Sequence, residues 1–422
     1  MLTSFSILVG LGALFSLVNL KWLKLPHTIG VTIISLLFVS LLFLSSVFDA
    51  TVFDTFCGIT ETANFKDLLF NGMLGFLLFA GALHINIKEL AKQRWSVLLF
   101  ATLGVLISTA LVGFGLKGIS FVSGMDIPLV YCLLFGALIS PTDPIAVLSI
   151  LKTVGISKSL QLKIEGESLF NDGIGVVVFS AILLFVPSDI MAAQGNPLLE
   201  VGSIFLEEVI GGLLFGAILG YVGYYLVNMS CSSPQLATVM TVGIVMSGYA
   251  IANALHLSGP LAMVVGGLVI GNKLDINHDE KSPAKMAINE FWEVLDYIFN
   301  ASLFVLLGLA IHLIAFSWMH LVLGLSSVLL VLVARYLSIL GTYSLLKHSD
   351  DSDSKGTVQI LTWGGLRGGI SIALALSLKD IEYFEVILFI TYVVVIFSIL
   401  FQGLSLPLLV KKIARKGKVS EK

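Results

Sequence analysis

The sequence predicts an all-α polytopic membrane protein with 13 transmembrane helices, built from two inverted six-helix repeats. Three observations predict this class. Of the 422 residues, 57% are hydrophobic and 12% are charged, whereas soluble domains carry about 25% charged residues. Apolar runs that reach the length needed to cross a bilayer, about 20 residues, recur along the chain. Short segments of the first half also return, in changed form, in the second half.

The predicted spans follow one another with short polar connections. In chain order they are roughly 2–20, 27–48, 67–86, 95–116, 127–150, 160–186, 201–228, 235–255, 259–272, 287–314, 317–346, 357–378 and 383–410. Loops on the cytoplasmic side of a membrane are enriched in lysine and arginine. With the N-terminus outside, 19 of the 24 basic residues fall in cytoplasmic segments, and Arg335 and Arg367 fall inside spans. The bias predicts a cytoplasmic C-terminus, with 411–422 as a short basic tail.

Two pairs of segments indicate an internal repeat. "FNGMLGFLL" at 70–78 is similar to "FNASLFVLL" at 299–307, and "IAVLS" at 145–149 is similar to "IALALS" at 372–377. An odd number of spans separates the two halves, so their topologies are opposite. Inverted repeats of this kind are typical of secondary transporters. The three cysteines are far apart in the chain and indicate neither a disulfide framework nor a metal site.

The sixth predicted span carries an unusual polar stripe, "GESLFNDGIG". At about 100° per residue, Glu167, Ser168, Asn171 and Asp172 cover about 140° of the helix surface. A carboxylate inside a bilayer costs about 2.5–3.5 kcal/mol by insertion scales, so such residues are candidates for function. The alternative is a structural role, such as packing, capping or a fixed ion pair, and this alternative is stronger for Glu167 than for Asp172.

The fifth predicted span contains "SPTDPIAVL", in which Pro141 and Pro144 flank Thr142 and Asp143. Because proline removes a helix hydrogen bond and clashes with the preceding turn, we expect the helix to be broken here. The ends of a broken helix offer free carbonyls to a cation and free N–H groups to an anion. The alternative is a proline kink in which Asp143 caps the second half of the helix. We expect Asp143 to stabilise the break and the break to form the site.

The twelfth predicted span, "TWGGLRGGISIALAL", has four glycines around Arg367 and corresponds to the fifth span in the repeat. Interrupted spans at matching positions of two repeats point to a transport site. A buried arginine needs an anion, and Glu167 is the predicted partner of Arg367. Breaking such a buried pair typically costs about 3–5 kcal/mol. Arg335, in the eleventh span, is interpreted as a structural residue.

Taken together and in this order, "SPTDPIAV", "GESLFNDGIG" and "GGLRGGIS" resemble motifs of the monovalent cation:proton antiporter family. The resemblance is to the electroneutral sodium/proton exchangers of the NhaP and NHE type, and it covers essentially the whole chain. It implies an antiporter fold of the NhaA/NhaP kind, with crossed discontinuous helices, and a homodimer. The dimerisation part would comprise about 1–90 and 201–314, and the mobile core about 91–186 and 317–410. The short tail after the last span indicates a bacterial-like member.

The resemblance also assigns roles to residues. Asp172 would be the carboxylate that carries the transported ion, with Asn171 beside it. The remaining site residues would be Thr142, Asp143 and Ser168, with sodium held at Asp172, Ser168 and Thr142, and with Glu167 paired to Arg367. One departure concerns the third span, where many relatives have an acidic residue and this chain has Ala80. This position therefore supplies no carboxylate to the site.

The predicted function is secondary active antiport, not enzymatic catalysis. One sodium ion, or a lithium ion, would exchange for one proton by competition at Asp172 with alternating access. The expected partners are these ions, membrane lipid and a second copy of the chain, without nucleic acid or a cofactor, in the cell (inner) membrane. A potassium/proton antiporter is the near alternative. A cation channel lacks support because no pore-loop filter is visible, and an intramembrane aspartyl protease would need Asp143 and Asp172 to face each other.

Overall fold

The computed structural model describes residues 2–46, 72–143, 147–148, 158–186, 197–277, 282–314, 316–346 and 356–419. Within these ranges the regular structure is helical, without strands. The helices are α1 Leu2–Val18, α2 His27–Ser46, α3 Leu74–Leu83, α4 Ile87–Lys92, α5 Arg94–Ala101, α6 Leu103–Val122, α7 Leu129–Ile139, α8 Lys158–Leu183, α9 Pro197–Met229, α10 Pro234–Ala254, α11 Gly259–Asn277, α12 Pro283–Leu309, α13 Trp318–Leu346, α14 Thr357–Trp363, α15 Gly369–Leu376, α16 Phe384–Phe397 and α17 Gly403–Val419. Two π-helical turns, Asn19–Leu23 and Ser398–Gln402, and one 3₁₀ turn, Ala310–Leu313, extend or join them.

Long apolar helices dominate the fold. In the described part of the chain, nine helical segments are long and apolar enough to cross a membrane, and α3 and α7 are shorter apolar helices. Each predicted span contains at least one helix. This confirms an all-α, integral, multi-pass membrane protein, while the count of 13 crossings stays a prediction.

Two of the predicted spans are interrupted, as expected. Helix α7 ends at Ile139, and Pro141–Asp143 are not helical. The twelfth span is divided into α14, which ends at Trp363, and α15, which begins at Gly369. Proline explains the first interruption, because it cannot donate the backbone hydrogen bond of a continuous helix. Glycine explains the second, because it is a poor helix former and leaves the backbone accessible to neighbours.

The chain forms two compact units. The first comprises Met1–Leu68, Trp95–Ser168 and Asn300–Lys422. In it, α6 packs against both α7 and α13, and α13 packs against α16. Both interruptions belong to this unit, so the first unit contains the elements that carry the predicted broken-helix site.

The second unit comprises Leu69–Arg94 and Leu169–Phe299. Helix α11 packs closely against α9 and α3. Small residues allow this approach, as is common between membrane helices: a Cβ on Gly216 would lie 2.6 Å from the Ala262 carbonyl oxygen, and one on Gly267 would lie 2.7 Å from the Phe79 carbonyl oxygen. The predicted division into dimerisation and core parts concerns motion, which a division by compactness does not measure. It stays a prediction.

Candidate functional site

The two interrupted spans contact each other at their breaks. The amide of Asp143 donates to the carbonyl oxygen of Leu366 at 2.8 Å. Glycines permit this approach: a Cβ on Gly365 would lie 3.3 Å from Thr142 Cγ2, and one on Gly368 would lie 2.6 Å from Asp143 Oδ2. The discontinuous helices therefore meet at their unwound segments, as the family resemblance implied.

Arg367 binds the carbonyls that the break of the fifth span releases. Its Nη1 donates to the carbonyl oxygens of Ser140 and of Pro141, the latter at 2.9 Å. A continuous helix would pair the Ser140 carbonyl with the amide of residue 144. That residue is Pro144, which has no N–H. The guanidinium thus satisfies an acceptor that the sequence leaves without its normal donor.

Glu167 forms its ion pair with Arg335. Their closest atoms, Glu167 Oε1 and Arg335 Nη1, are 2.5 Å apart, and the two side chains are only 2% and 5% exposed. Arg335 Nη2 also donates to the carbonyl oxygen of Leu361 at 3.4 Å. The pair joins α8 to α13, and the backbone bond adds α14. Isolated charges are very unfavourable at such burial, so each side chain needs the other.

This pairing corrects the prediction that Glu167 pairs with Arg367. The sequence shows two arginines inside spans but does not show which one reaches the carboxylate. In the structure, backbone carbonyls bind the guanidinium of Arg367, and Arg335 takes the carboxylate. The interpretation of Arg335 as a structural residue agrees with this contact.

A hydroxyl pair connects the break of the fifth span to the polar stripe of α8. Thr142 Oγ1 and Ser168 Oγ are 3.1 Å apart, and both side chains are buried. Asp143, the next residue, is half-buried. The structure therefore brings Thr142, Asp143 and Ser168 to the region where the two breaks meet.

Asn171 and Asp172 follow on α8 and belong to the second compact unit. They are 0% and 8% exposed, respectively. Helix α8 is continuous from Lys158 to Leu183, so Asp172 lies one helical turn after Ser168, on nearly the same face. A buried acidic side chain in an apolar helix is a candidate for function.

Sequence reasoning missed three buried polar residues near these elements. Lys163 was not singled out, although it lies on α8 and is 1% exposed. Its spacing of four residues from Glu167 was the available signal, since residues at i and i+4 share a helix face. Ser398 and Gln402 were not singled out. Ser398 Oγ accepts from the Arg367 amide at 2.9 Å, and Gln402 Nε2 donates to the Trp363 carbonyl oxygen at 3.3 Å.

A family model described as sodium/hydrogen exchanger, transmembrane, matches residues 9–412. The chain belongs to the sodium/hydrogen exchanger family. This match confirms the family resemblance of the three motifs. The family is one of transporters.

Relatives within this exchanger family are similar over nearly the whole chain. The Na⁺/H⁺ antiporter NhaP of Pseudomonas aeruginosa is 40% identical over 96% of this chain and 95% of its own length. The Na⁺/H⁺ antiporter NhaH of Halobacillus aidingensis is 35% identical over 84% of this chain and 85% of its own length. The structure of the sodium proton antiporter MjNhaP1 from Methanocaldococcus jannaschii superposes with a TM-score of 0.75 at 21% identity, covering 98% of both chains. This last match shows that the exchanger fold is shared.

Proposed function

We propose that this exchanger-family protein is a sodium/proton antiporter in which sodium and a proton compete for Asp172. The observation that carries the proposal is the arrangement along α8. Ser168 contacts Thr142 at the crossing of two broken helices, and the buried Asp172 follows one turn later on the same helix. The names of the relatives, which are Na⁺/H⁺ antiporters, support the choice of ions.

The chemistry of these groups suits a small hard cation. Sodium prefers oxygen ligands, and a carboxylate with hydroxyl oxygens supplies one negative charge and neutral dipoles. A proton and a sodium ion cannot occupy the same carboxylate together. Competition at Asp172 therefore couples the two fluxes, and Ser168 and Thr142 are the proposed neutral ligands. Asn171 has an amide that does not titrate, so the proposed exchange is one ion for one proton.

Two neighbouring charges are held in place by other groups. Arg335 Nη1 lies 2.5 Å from Glu167 Oε1, so the guanidinium compensates the buried carboxylate. Arg367 is bound to the carbonyls of Ser140 and Pro141. Neither residue is a proposed ion ligand. Through these contacts, Glu167 and Arg367 hold the broken helices in the geometry that presents Thr142 and Asp143.

The wider proposals follow from family membership. We place the protein in the cell membrane with its N-terminus outside, as the distribution of basic residues predicts. A homodimer with a dimerisation part and a moving core, exchanging access between the two sides, is the proposed working form. Alternating access by movement of one repeat against the other is typical of inverted-repeat transporters.

The decisive experiment measures proton movement in vesicles that contain the purified protein. Sodium added outside the vesicles should enter them and drive protons out in the opposite direction. Lithium should substitute for sodium in this assay. Asp172→Asn should abolish this flux while the protein still folds. Asp126→Asn is the matched control, because Asp126 is an exposed acid paired with Lys117, and it should exchange normally. Flux with potassium but not sodium would indicate the potassium/proton alternative, and normal sodium flux in Asp172→Asn would contradict the proposal.

A further inference from the structure

The interruption of the twelfth span removes one particular backbone hydrogen bond. In a continuous helix, the amide of Arg367 would donate to the carbonyl oxygen of Trp363. The three amides before Arg367 still donate within the segment: Gly364 to Ile360, Gly365 to Thr362 and Leu366 to Gly364. The amide of Arg367 does not, since it donates to a side chain of another helix.

Two side chains of the thirteenth span replace the two halves of that lost bond. Ser398 Oγ accepts from the Arg367 amide at 2.9 Å, and Gln402 Nε2 donates to the Trp363 carbonyl oxygen at 3.3 Å. Both side chains are buried. They are four residues apart, at the first and last positions of the π-helical turn Ser398–Gln402. Isolated π-helical turns inside longer helices are rare and occur often at functional sites.

A third contact ties the same end of α14 to the thirteenth span. The indole Nε1 of Trp363 donates to Ser405 Oγ at 2.8 Å, so both the ring and the carbonyl of Trp363 are held by this span. Arg367 is held by two other spans. Its amide donates to Ser398 of the thirteenth span, and its guanidinium donates to the carbonyls of Ser140 and Pro141 of the fifth span. The thirteenth span therefore binds polar groups that the interruption of the twelfth span exposes.

We propose that Ser398 and Gln402 are positioning residues, which keep the twelfth span interrupted and thereby hold Arg367 on the carbonyls of the fifth span. Without them, the amide of Arg367 and the carbonyl of Trp363 lack partners. A buried unsatisfied pair of this kind favours closing the helical bond between them. Closing it would draw Arg367 toward α14 and away from Ser140 and Pro141. The proposal deepens the proposed function, and it rests on that function for its transport measurement.

The experiment uses Ser398→Ala, Gln402→Met and the double variant in the full-length protein. Sodium-driven proton flux should show a rise of about three- to tenfold in the KM for sodium in each single variant, the size expected for one lost hydrogen bond. The maximal rate should change less. The matched control is Thr391→Val on the same span, because the buried Thr391 hydroxyl donates to the Ile387 carbonyl of its own helix. Its KM should equal that of the wild type.

A second measurement does not depend on transport. Amide hydrogen exchange of a peptide that covers 357–376 should be faster in Ser398→Ala than in the wild type and in Thr391→Val, because the Arg367 amide has lost its acceptor while Gln402 still binds the Trp363 carbonyl. Unchanged exchange of this peptide together with a KM like that of Thr391→Val would overturn the inference. A wild-type protein without sodium-driven proton flux would contradict the proposed function instead, and the exchange measurement would still test the positioning role.

Discussion

At the scale of single residues, the charges around the crossing have different tasks. Glu167 and Arg335 neutralise each other inside the protein, and the guanidinium of Arg367 binds two backbone carbonyls. Asp172 is therefore the buried acid of the polar stripe that we assign to ion binding. The remaining members of the stripe, Ser168 and Asn171, are neutral. Two carboxylates lie within six residues because they have different tasks: Glu167 pairs with a guanidinium, and Asp172 is assigned to exchange.

The ion pair makes the first prediction. Arg335→Ala and Glu167→Ala should each lower the free energy of unfolding by about 3–5 kcal/mol, because each leaves a buried charge without its partner. A double-mutant cycle for Glu167 and Arg335, measured by thermal unfolding in detergent, should give a coupling of at least roughly 1 kcal/mol. The same cycle for Glu167 and Arg367 should give a smaller coupling. Equal couplings in both cycles would mean that the carboxylate is shared between the two arginines.

Competition at Asp172 makes the second prediction. At low pH the proton displaces sodium from the carboxylate, and at high pH no proton is available for the return step, so the exchange rate should pass through a maximum. Raising the sodium concentration should move the acidic limb to lower pH, because a higher proton concentration is then needed to displace sodium from the carboxylate. The measurement is the initial rate of exchange over a range of pH at several sodium concentrations. An acidic limb that does not respond to sodium would indicate a separate pH sensor.

At the scale of elements, the crossing depends on the absence of side chains at two glycines. The twelfth span approaches the fifth so closely that a Cβ on Gly365 would lie 2.8 Å from Arg335 Nε, and one on Gly368 would lie 2.6 Å from Asp143 Oδ2. These are distances at which something must move, because Cβ atoms do not normally approach other atoms so closely. Glycine at these positions therefore serves packing as well as helix breaking.

Gly365 makes the third prediction. Gly365→Ala should destabilise the protein by about 1–3 kcal/mol, the usual cost of adding atoms to a packed interior, and should also slow exchange by displacing Arg335 or Thr142. Gly341→Ala is the control, since a Cβ at Gly341 in α13 would meet no atom within 4 Å. Both can be compared by thermal unfolding and by sodium-driven flux. Equal behaviour of the two variants would show that the twelfth span can shift without affecting the site.

At the scale of the whole molecule, the exchange should move no net charge. Of the two neighbouring positions at the end of the polar stripe, Asn171 carries an amide that cannot release a proton, and Asp172 carries the acid that we propose as the exchanging group. Glu167 is paired with Arg335 and is not assigned to ion exchange. One sodium ion should therefore exchange for one proton, and the membrane potential should contribute nothing to the driving force.

Electroneutrality makes the fourth prediction. A potential contributes about 2.3 kcal/mol per net charge per 100 mV, and this contribution should be absent here. A potassium-diffusion potential imposed on vesicles, of either sign, should leave the initial exchange rate unchanged. An ionophore that clamps the potential at zero provides the control. A clear acceleration under either sign would show that a second proton takes part, through Asp143 or Glu167.

The sequence by itself determined the class of the protein, the positions of the helices and the places where two of them break. These properties depend on local patterns: apolar runs long enough to cross a bilayer, prolines at 141 and 144, and glycines around Arg367. It also determined the family, because three motifs in a fixed order are specific. The candidate residues Thr142, Asp143 and Ser168 were found in the same way, since polar groups in an apolar span stand out.

Only the tertiary structure decided which groups meet. Nothing in the local pattern shows that Glu167 takes Arg335 and not Arg367, because both arginines lie in later spans and the choice depends on how those spans pack. The replacement of a lost backbone bond by Ser398 and Gln402 is equally non-local, since its two halves come from different helices. A charge or a free carbonyl inside a membrane must find a partner. The sequence shows that a partner is needed, and the three-dimensional packing selects it.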